Sequence, residues 1–208
     1  MGITERKQRE KKARLSEIKK NAKRLFAKKG FANTSMAEIA TATEIAKGSL
    51  YLFFKSKSEL LYSLLEPMLE DHFGLITQIT DNEEERADHT LLKLIDFFYE
   101  SYRHDPEPYQ VFMYYKADEF SELLAADRFN HLKMLMAKNL QKVEGVIVRG
   151  NRQGIFKPFD PKVVSIILWN TILSILQFEQ NRQYSGGKDH LKPTLEAAIN
   201  LLLDGLKN

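Results

Sequence analysis

Five residues between positions 47 and 52 have the chemistry that a contact with duplex DNA requires. A lysine ammonium binds phosphate, hydroxyl groups bind phosphate or base edges, an apolar side chain contacts a base, and a glycine lets two backbones approach closely. These residues lie on the faces of a short predicted helix that its own packing does not need. They are Lys47, Gly48, Ser49, Tyr51 and Leu52.

Two capping boxes indicate how this helix is positioned. Ser35 and Glu38 form the S-x-x-E pattern in which each side chain accepts a hydrogen bond from the other residue's amide, so a helix is predicted to begin near residue 36. After a polar interruption, the apolar pattern resumes between residues 46 and 53. Ser56 and Glu59 repeat the box, and a bound phosphate there would offset the unfavourable effect of Lys57 on the helix dipole.

An amphipathic helix is predicted before the first box, from about Arg14 to Lys29, because its apolar residues recur every three or four positions. Gly30 ends it. Residues 1–12 are rich in lysine and arginine and are interpreted as a basic arm, which either follows phosphates or enters a minor groove, or is simply disordered.

The segment LFAKKGFANTSMAEIATATEIAKGSLYLFFKSKSEL resembles the DNA-binding domain of the tetracycline-repressor (TetR) family of bacterial regulators. The resemblance implies phosphate contacts from Thr34 and Ser35, groove contacts from the helix that follows, and a phosphate clamp at Lys57. The complete predicted set of DNA-contacting residues is Thr34, Ser35, Ala46, Lys47, Gly48, Ser49, Tyr51, Leu52 and Lys57. Three positions depart from the family pattern: Glu44 replaces a turn glycine, Ala46 a capping serine, and Phe53 a tyrosine or histidine.

The charge of this 208-residue chain is unevenly distributed. Residues 1–60 contain 15 Lys and Arg against 6 Asp and Glu, net +9, whereas the remainder contains 16 against 22, net −6. The split favours a polyanion-binding head on a separate body, although solvated helix faces would give the same count. The chain has no cysteine, no apolar leader and no run of roughly 20 apolar residues, so a cytoplasmic location, associated with the nucleoid through DNA, is predicted.

The predicted fold is all-α with about nine helices: the arm, a three-helix helix-turn-helix domain over 13–72 with its motif at about 35–54, and a helical ligand-binding and dimerisation domain over 73–208. A helix over 58–80 contains Pro67, which should kink it and serve either as a hinge or as a static bend.

Aromatic residues of the predicted body line an effector pocket or form an ordinary core. The resemblance implies a small apolar or aromatic effector that releases the protein from DNA. The candidate pocket residues are Phe98, Tyr102, Tyr109, Phe112, Tyr115, Phe120, Phe129, Trp169 and Phe178.

The last two helices are predicted to form a homodimer. The helix beginning at Pro161 is too apolar to expose any broad face to water, and two recognition helices can read two halves of a palindromic operator. The resemblance implies a four-helix bundle. The candidate interface residues are Ile167, Thr171, Ile175, Phe178, Leu195, Ile199, Leu202 and Leu206.

No catalytic, cofactor-binding or metal-binding pattern is evident. The five histidines have no metal-ligand spacing, and the chain has no H-E-x-x-H, P-loop or nucleophile-elbow motif. The sequence therefore favours a DNA-binding regulator that an effector releases, over an enzyme. The alternatives are a ligand-independent or activating protein of the same fold and, more distantly, a basic amphipathic protein at a membrane surface.

Overall fold

The structure, a computed structural model, describes residues 2–113, 124–184 and 189–208, and in these ranges it contains nine α-helices and no β-strand. The all-α prediction is confirmed. The helices are α1 (Ile3–Lys29), α2 (Met36–Ala42), α3 (Lys47–Phe53), α4 (Lys57–Thr80), α5 (Ala87–His104), α6 (Pro106–Met113), α7 (Ala126–Arg152), α8 (Pro161–Tyr184) and α9 (Leu191–Leu206).

The chain divides into two compact units. The first contains Met1–Met68 and Glu107–Asn130, and the second contains Leu69–Pro106 and His131–Asn208. We call them the N-terminal and C-terminal units. The division falls within α4, after the first residue of α6 and within α7, so these three helices contribute residues to both units.

Helix α1 begins at Ile3, and the prediction of a separate arm ending near residue 12 is wrong for the structure. Strong helix formers and ion pairs between successive turns explain the extension. The Gly2 amide donates to the Glu5 carboxylate at 3.1 Å, and Arg6 pairs with Glu10 at 2.8 Å. The charges of this segment remain exposed along one extended helix.

The core of the N-terminal unit is built from the apolar stripes of α1, α2 and α3. Residues spaced by three or four along α1 fall on one face, and a single residue from each short helix completes the cluster. Its fully buried members are Ile18, Ala22, Ile39 and Leu50. This packing fixes which side of α3 points inward and therefore which side remains outside.

Helix α4 continues through Pro67. A proline has no amide hydrogen, so the carbonyl of Ser63, four residues earlier, loses its intrahelical partner. The Lys19 ammonium of α1 donates to that carbonyl at 3.0 Å and replaces the missing bond.

In the C-terminal unit, α9 packs against α5 and α8. The same unit buries Arg149 of α7, whose guanidinium donates to the Thr80 carbonyl at 2.8 Å and to the Thr90 hydroxyl at 2.7 Å. Thr80 is the last residue of α4, where the helix dipole is negative, and this favours the buried positive charge.

Candidate nucleic-acid interface

The first capping box is formed as the sequence predicted. The Ser35 hydroxyl accepts from the Glu38 amide at 3.2 Å, and the Glu38 carboxylate accepts from the Ser35 amide at 2.8 Å. Lys29 donates to the same carboxylate at 2.6 Å. The hydrogen bonds from Lys29 and Ser35 lower the pKa of Glu38 to about 2, so the cap stays ionised at neutral pH.

The turn between α2 and α3 is strained at Glu44. Its φ of 55° lies in the left-handed region, which glycine adopts without steric cost and other residues adopt at a cost. Ala46 then occupies the N-cap position of α3 without a side-chain hydrogen bond. Both features match the two departures from the family pattern, and both leave this turn less stable than a glycine and a serine would.

The outward face of α3 carries the residues whose types suggested DNA contact. Lys47 and Gly48 are exposed, Ser49 is half-buried, and Tyr51 and Leu52 are 43% and 86% exposed, whereas Leu50 points into the core. A Cβ atom placed on Gly48 would meet no heavy atom of the described residues within 4 Å. Packing within the described chain therefore does not explain the missing side chain or the exposed leucine.

A second box starts α4 in a slightly different form. The Ser56 hydroxyl accepts from the Glu59 amide at 3.0 Å, but the Glu59 carboxylate accepts from the amide of Lys55 at 2.7 Å, one residue earlier than predicted. That backbone bond is the main reason that the pKa of Glu59 is lowered.

Two predicted phosphate contacts have structural roles instead. The Thr34 side chain is buried, and its hydroxyl donates to the Gly30 carbonyl at 2.8 Å. The Lys57 ammonium donates to the carbonyls of Phe31 at 2.6 Å and Thr34 at 2.8 Å, and more weakly to Ala32 at 3.4 Å. All three of its donors are thus directed at the loop after α1, and its partial burial lowers its pKa. The prediction that Lys57 clamps phosphate is wrong for this geometry.

A surface cleft of about 560 Å³ lies between the start of α2, the outer face of α3 and the start of α4. Residues with exposed hydrogen-bonding groups line it: Asn33, Ser35, Lys47, Tyr51, Lys55 and Ser56. Asn33, Lys55 and Ser56 line the cleft but are not among the residues predicted from the sequence to contact DNA. Their signal was present, because polar residues that flank the start of a helix are the usual anion ligands.

Seven of the nine candidate pocket residues lie in the described part of the chain. Tyr115 and Phe120 lie outside the described residues, Tyr109, Phe112 and Phe129 belong to the N-terminal unit, and the remaining four belong to the C-terminal unit. Phe98 and Tyr102 are buried there, and the Phe98 ring meets the Trp169 ring edge-on at 5.5 Å. Phe178 is 67% exposed and cannot line an internal pocket.

The predicted dimer residues fall into two groups. Leu195 and Ile199 are buried inside the C-terminal unit, where this stripe of α9 packs on α5 and α8, so assigning them to an interface is wrong. Leu206 is buried but borders the groove described below. Ile167 is exposed, and Thr171, Ile175 and Leu202 are partly exposed. Val163 and Leu201 are also exposed, although they are not among the predicted interface residues. Together with Ile167 and Leu202 they line a groove of about 410 Å³ between α8 and α9.

Helix α8 is also, in the described part of the chain, the one helix whose length and composition would allow it to cross a membrane, over Pro161–Gln180. One such helix is weak evidence, because core helices pass the same test. Here Leu168, Ile172 and Leu176 are buried within the unit.

Comparison with known proteins agrees with the geometry at the N-terminus. Residues 18–64 match the family described as bacterial regulatory proteins, tetR family. The chain is 29% identical to the HTH-type transcriptional repressor KstR2 of Rhodococcus jostii, over 94% of this chain and 92% of that protein. It is 57% identical to the uncharacterized HTH-type transcriptional regulator YerO of Bacillus subtilis, over 24% of this chain and 17% of that protein.

Solved structures extend the likeness to the whole fold. The ketosteroid transcriptional regulator KstR2 of Mycobacterium tuberculosis has a TM-score of 0.79 at 22% identity, covering 94% of this chain and 95% of that one. FadR from Bacillus subtilis, in complex with stearoyl-CoA, has a TM-score of 0.72 at 18% identity, covering 91% and 98%.

The fold and the exposed recognition helix define a helix-turn-helix, DNA-binding transcriptional regulator. Residues 18–64 form a DNA-binding domain of the TetR family of bacterial regulatory proteins.

Proposed function

We propose that this regulator is a cytoplasmic repressor that binds a palindromic operator as a homodimer and leaves it when a small apolar or aromatic effector binds the C-terminal unit. The observation that carries the proposal is the outer face of α3. This face exposes four residues that do not pack into the described core: Lys47, Gly48, Tyr51 and Leu52.

The operator contacts come from the cleft and from α3. Lys47, Lys55 and the Ser35 and Ser56 hydroxyls face the cleft and hold phosphates, while Tyr51 and Leu52 reach base edges in the major groove. Ser49 and the backbone at Ala46 and Gly48 approach the DNA at the start of α3. The positive charge along α1 strengthens binding regardless of sequence.

The homodimer forms through α8 and α9. Val163 and Phe178 of α8 and Leu201 of α9, which are 52%, 67% and 75% exposed, would be covered by a second copy of the same two helices. Exposed apolar surface of this extent on helices is typical of an interface between subunits. Two copies also supply two recognition helices for two half-sites.

The effector assignment is supported by what similar proteins bind. KstR2 of Mycobacterium tuberculosis is a ketosteroid regulator, and Bacillus subtilis FadR was solved with stearoyl-CoA. Both names indicate molecules with large apolar parts, and the interior of the C-terminal unit has matching apolar and aromatic residues. Because α4 contributes to both units, it offers a continuous path from an effector to the DNA-binding helices.

Selection of bound fragments from random DNA tests the proposal. We expect a two-fold symmetric sequence, bound with an affinity that falls steeply with salt. Lys47→Ala should weaken binding at least tenfold and lower the salt dependence by about two ions for the dimer, one at each half-site, whereas Lys20→Ala, an equal charge loss on exposed α1, should preserve sequence preference. Equal effects of the two substitutions, or the absence of a symmetric sequence, would contradict the proposed operator complex.

A further inference from the structure

The amide of Asn139 has unused hydrogen-bonding capacity inside the C-terminal unit. Asn139 lies in α7 with 0% of its surface exposed. Among the described residues, neither its amide nitrogen nor its amide oxygen has a hydrogen-bond partner. A buried unpaired group destabilises the folded protein, and a leucine of similar size would avoid that cost. The Asn139 amide can therefore form hydrogen bonds with a bound molecule that is not part of the described chain.

The position of Asn139 along α7 places it one turn from a residue that borders the aromatic core. The buried stripe of α7 contains Leu132, Leu135, Asn139 and Val143, spaced by three or four residues, so the amide is on the same face as its apolar neighbours. Val143, one turn further on, lines a cavity of about 10 Å³ together with Phe98 and Trp169. This cavity is far smaller than the roughly 300–1,000 Å³ of a typical site for a small molecule.

The aromatic side chains around this cavity are connected by edge-on contacts. The Phe98 ring lies 5.5 Å from the Trp169 ring and 6.2 Å from the His72 ring. His72 is itself buried, with Nε2 3.2 Å from the Ser101 hydroxyl, and burial lowers its pKa to about 4. At neutral pH the imidazole is uncharged, so it adds polarity without adding charge.

Asp88 and Glu179 are paired with opposite charges, and Arg149, whose Nε has no partner among the described residues, lies too far along α7 to pair with a group at Asn139. Arg149 is ten residues along α7 from Asn139, about 15 Å at 1.5 Å per residue, and its guanidinium is directed at Thr80 and Thr90. Asp88 is paired with Arg86 and Lys207, and Glu179 with Arg182.

A charged ligand group beside Asn139 would therefore lose its hydration without gaining a counter-ion. An uncharged group that both donates and accepts would match the amide, which offers two N–H donors and one carbonyl.

We propose that Asn139 anchors the effector in the interior of the C-terminal unit, and that the effector is an apolar molecule with one uncharged donor-and-acceptor group: an amide, a hydroxyl or an un-ionised carboxyl. This inference rests on the proposed function, because it gives that effector a site and a chemical class. The cavity at Phe98 and Trp169 must widen on binding, so the bound and free proteins differ in the packing of α5, α7 and α8.

Thermal unfolding of the full-length protein with matched compounds tests the anchor. The pairs are 2-naphthol with 2-methylnaphthalene and octanamide with nonane, in which one member lacks the polar group. The wild type should bind a polar member at least about tenfold more tightly than its partner. Asn139→Leu should lose this preference while unfolding at the same or a higher temperature without ligand. Asn130→Leu, the same change at an exposed site on α7, should keep the preference.

Three outcomes would overturn the inference: no compound stabilises the wild type, polar and apolar members bind alike, or Asn139→Leu retains the preference. Operator binding is measured in parallel without any compound. A protein that shows the ligand preference but binds no operator would refute the proposed function and leave the anchor standing. A protein that binds the operator but shows no preference for the polar ligands would refute the anchor and leave the proposed function standing.

Discussion

Replacing Gly48 by alanine should make the protein more stable and a weaker DNA binder. A Cβ at this position meets no heavy atom of the described residues within 4 Å, and Gly48 is not among the glycines with positive φ. Alanine is favoured over glycine in a helix by up to about 1 kcal/mol, and less near the first turn, where Gly48 lies. The free energy of unfolding should therefore rise by a few tenths to 1 kcal/mol.

The effect on DNA has the opposite sign because the methyl group would occupy space that a phosphate backbone needs. Displacing the helix by even part of the width of a methyl group breaks short contacts, and a loss of about 1.4 kcal/mol at each half-site is a tenfold loss. For a dimer on two half-sites the expected loss is about a hundredfold. Fluorescence anisotropy with the selected operator at fixed salt measures it, beside urea unfolding of the free protein.

Gly74→Ala and Gly145→Ala are matched controls. Both glycines are helical, and neither has a heavy atom of the described residues within 4 Å of an added Cβ. Both variants should be stabilised with operator affinity unchanged. If Gly48→Ala binds the operator as tightly as the wild type, the start of α3 does not approach DNA. If the variant unfolds more easily than the wild type, the space around position 48 does not accommodate a methyl group.

Three other substitutions probe local features. Glu44→Gly should relieve the φ of 55° and raise the free energy of unfolding by roughly 0.5–1 kcal/mol in urea, whereas Glu44→Ala, which keeps the strained conformation, should not. His72 has a pKa of about 4 when folded against 6.5 as a free side chain, so the unfolded chain gains a proton first and stability should fall by roughly 3 kcal/mol between pH 6.5 and 4. His72→Phe should lose that dependence, and an unchanged pH profile would contradict burial. Gly150→Ala would place a Cβ 2.1 Å from the Phe156 ring and should cost about 1–3 kcal/mol, with partial recovery when Phe156→Leu is added.

Local features were predictable from the sequence. The Ser35 and Glu38 box and the short helix α3 depend on residues within about ten positions of one another, and the structure confirms them. The roles of Thr34 and Lys57 were not predictable in this way. Lys57 donates to the carbonyl of Phe31, 26 positions away, and only the folded loop brings that carbonyl within reach.

The face that α9 presents to its neighbours could not be chosen from the sequence. Leucines at 201, 202 and 203 follow one another, so several stripes of this helix are apolar. Packing on α5 and α8 selects Leu195, Ile199, Leu203 and Leu206 for burial and leaves Leu201 outside. Periodicity identified an amphipathic helix, but its rotation depends on partners that are distant in sequence.

The bond between Lys19 and Ser63 explains how α4 can contain a proline at the boundary of the two units. Without a donor, the Ser63 carbonyl would be left unpaired, which favours a bend at Pro67. Lys19 supplies the donor from α1, within the N-terminal unit, so the pairing of the Ser63 carbonyl in α4 depends on the position of α1. A change in α4 that moves Ser63 away from Lys19 would cost that bond. The conformation of the linking helix and the packing of the DNA-binding helices are therefore coupled by one identifiable contact.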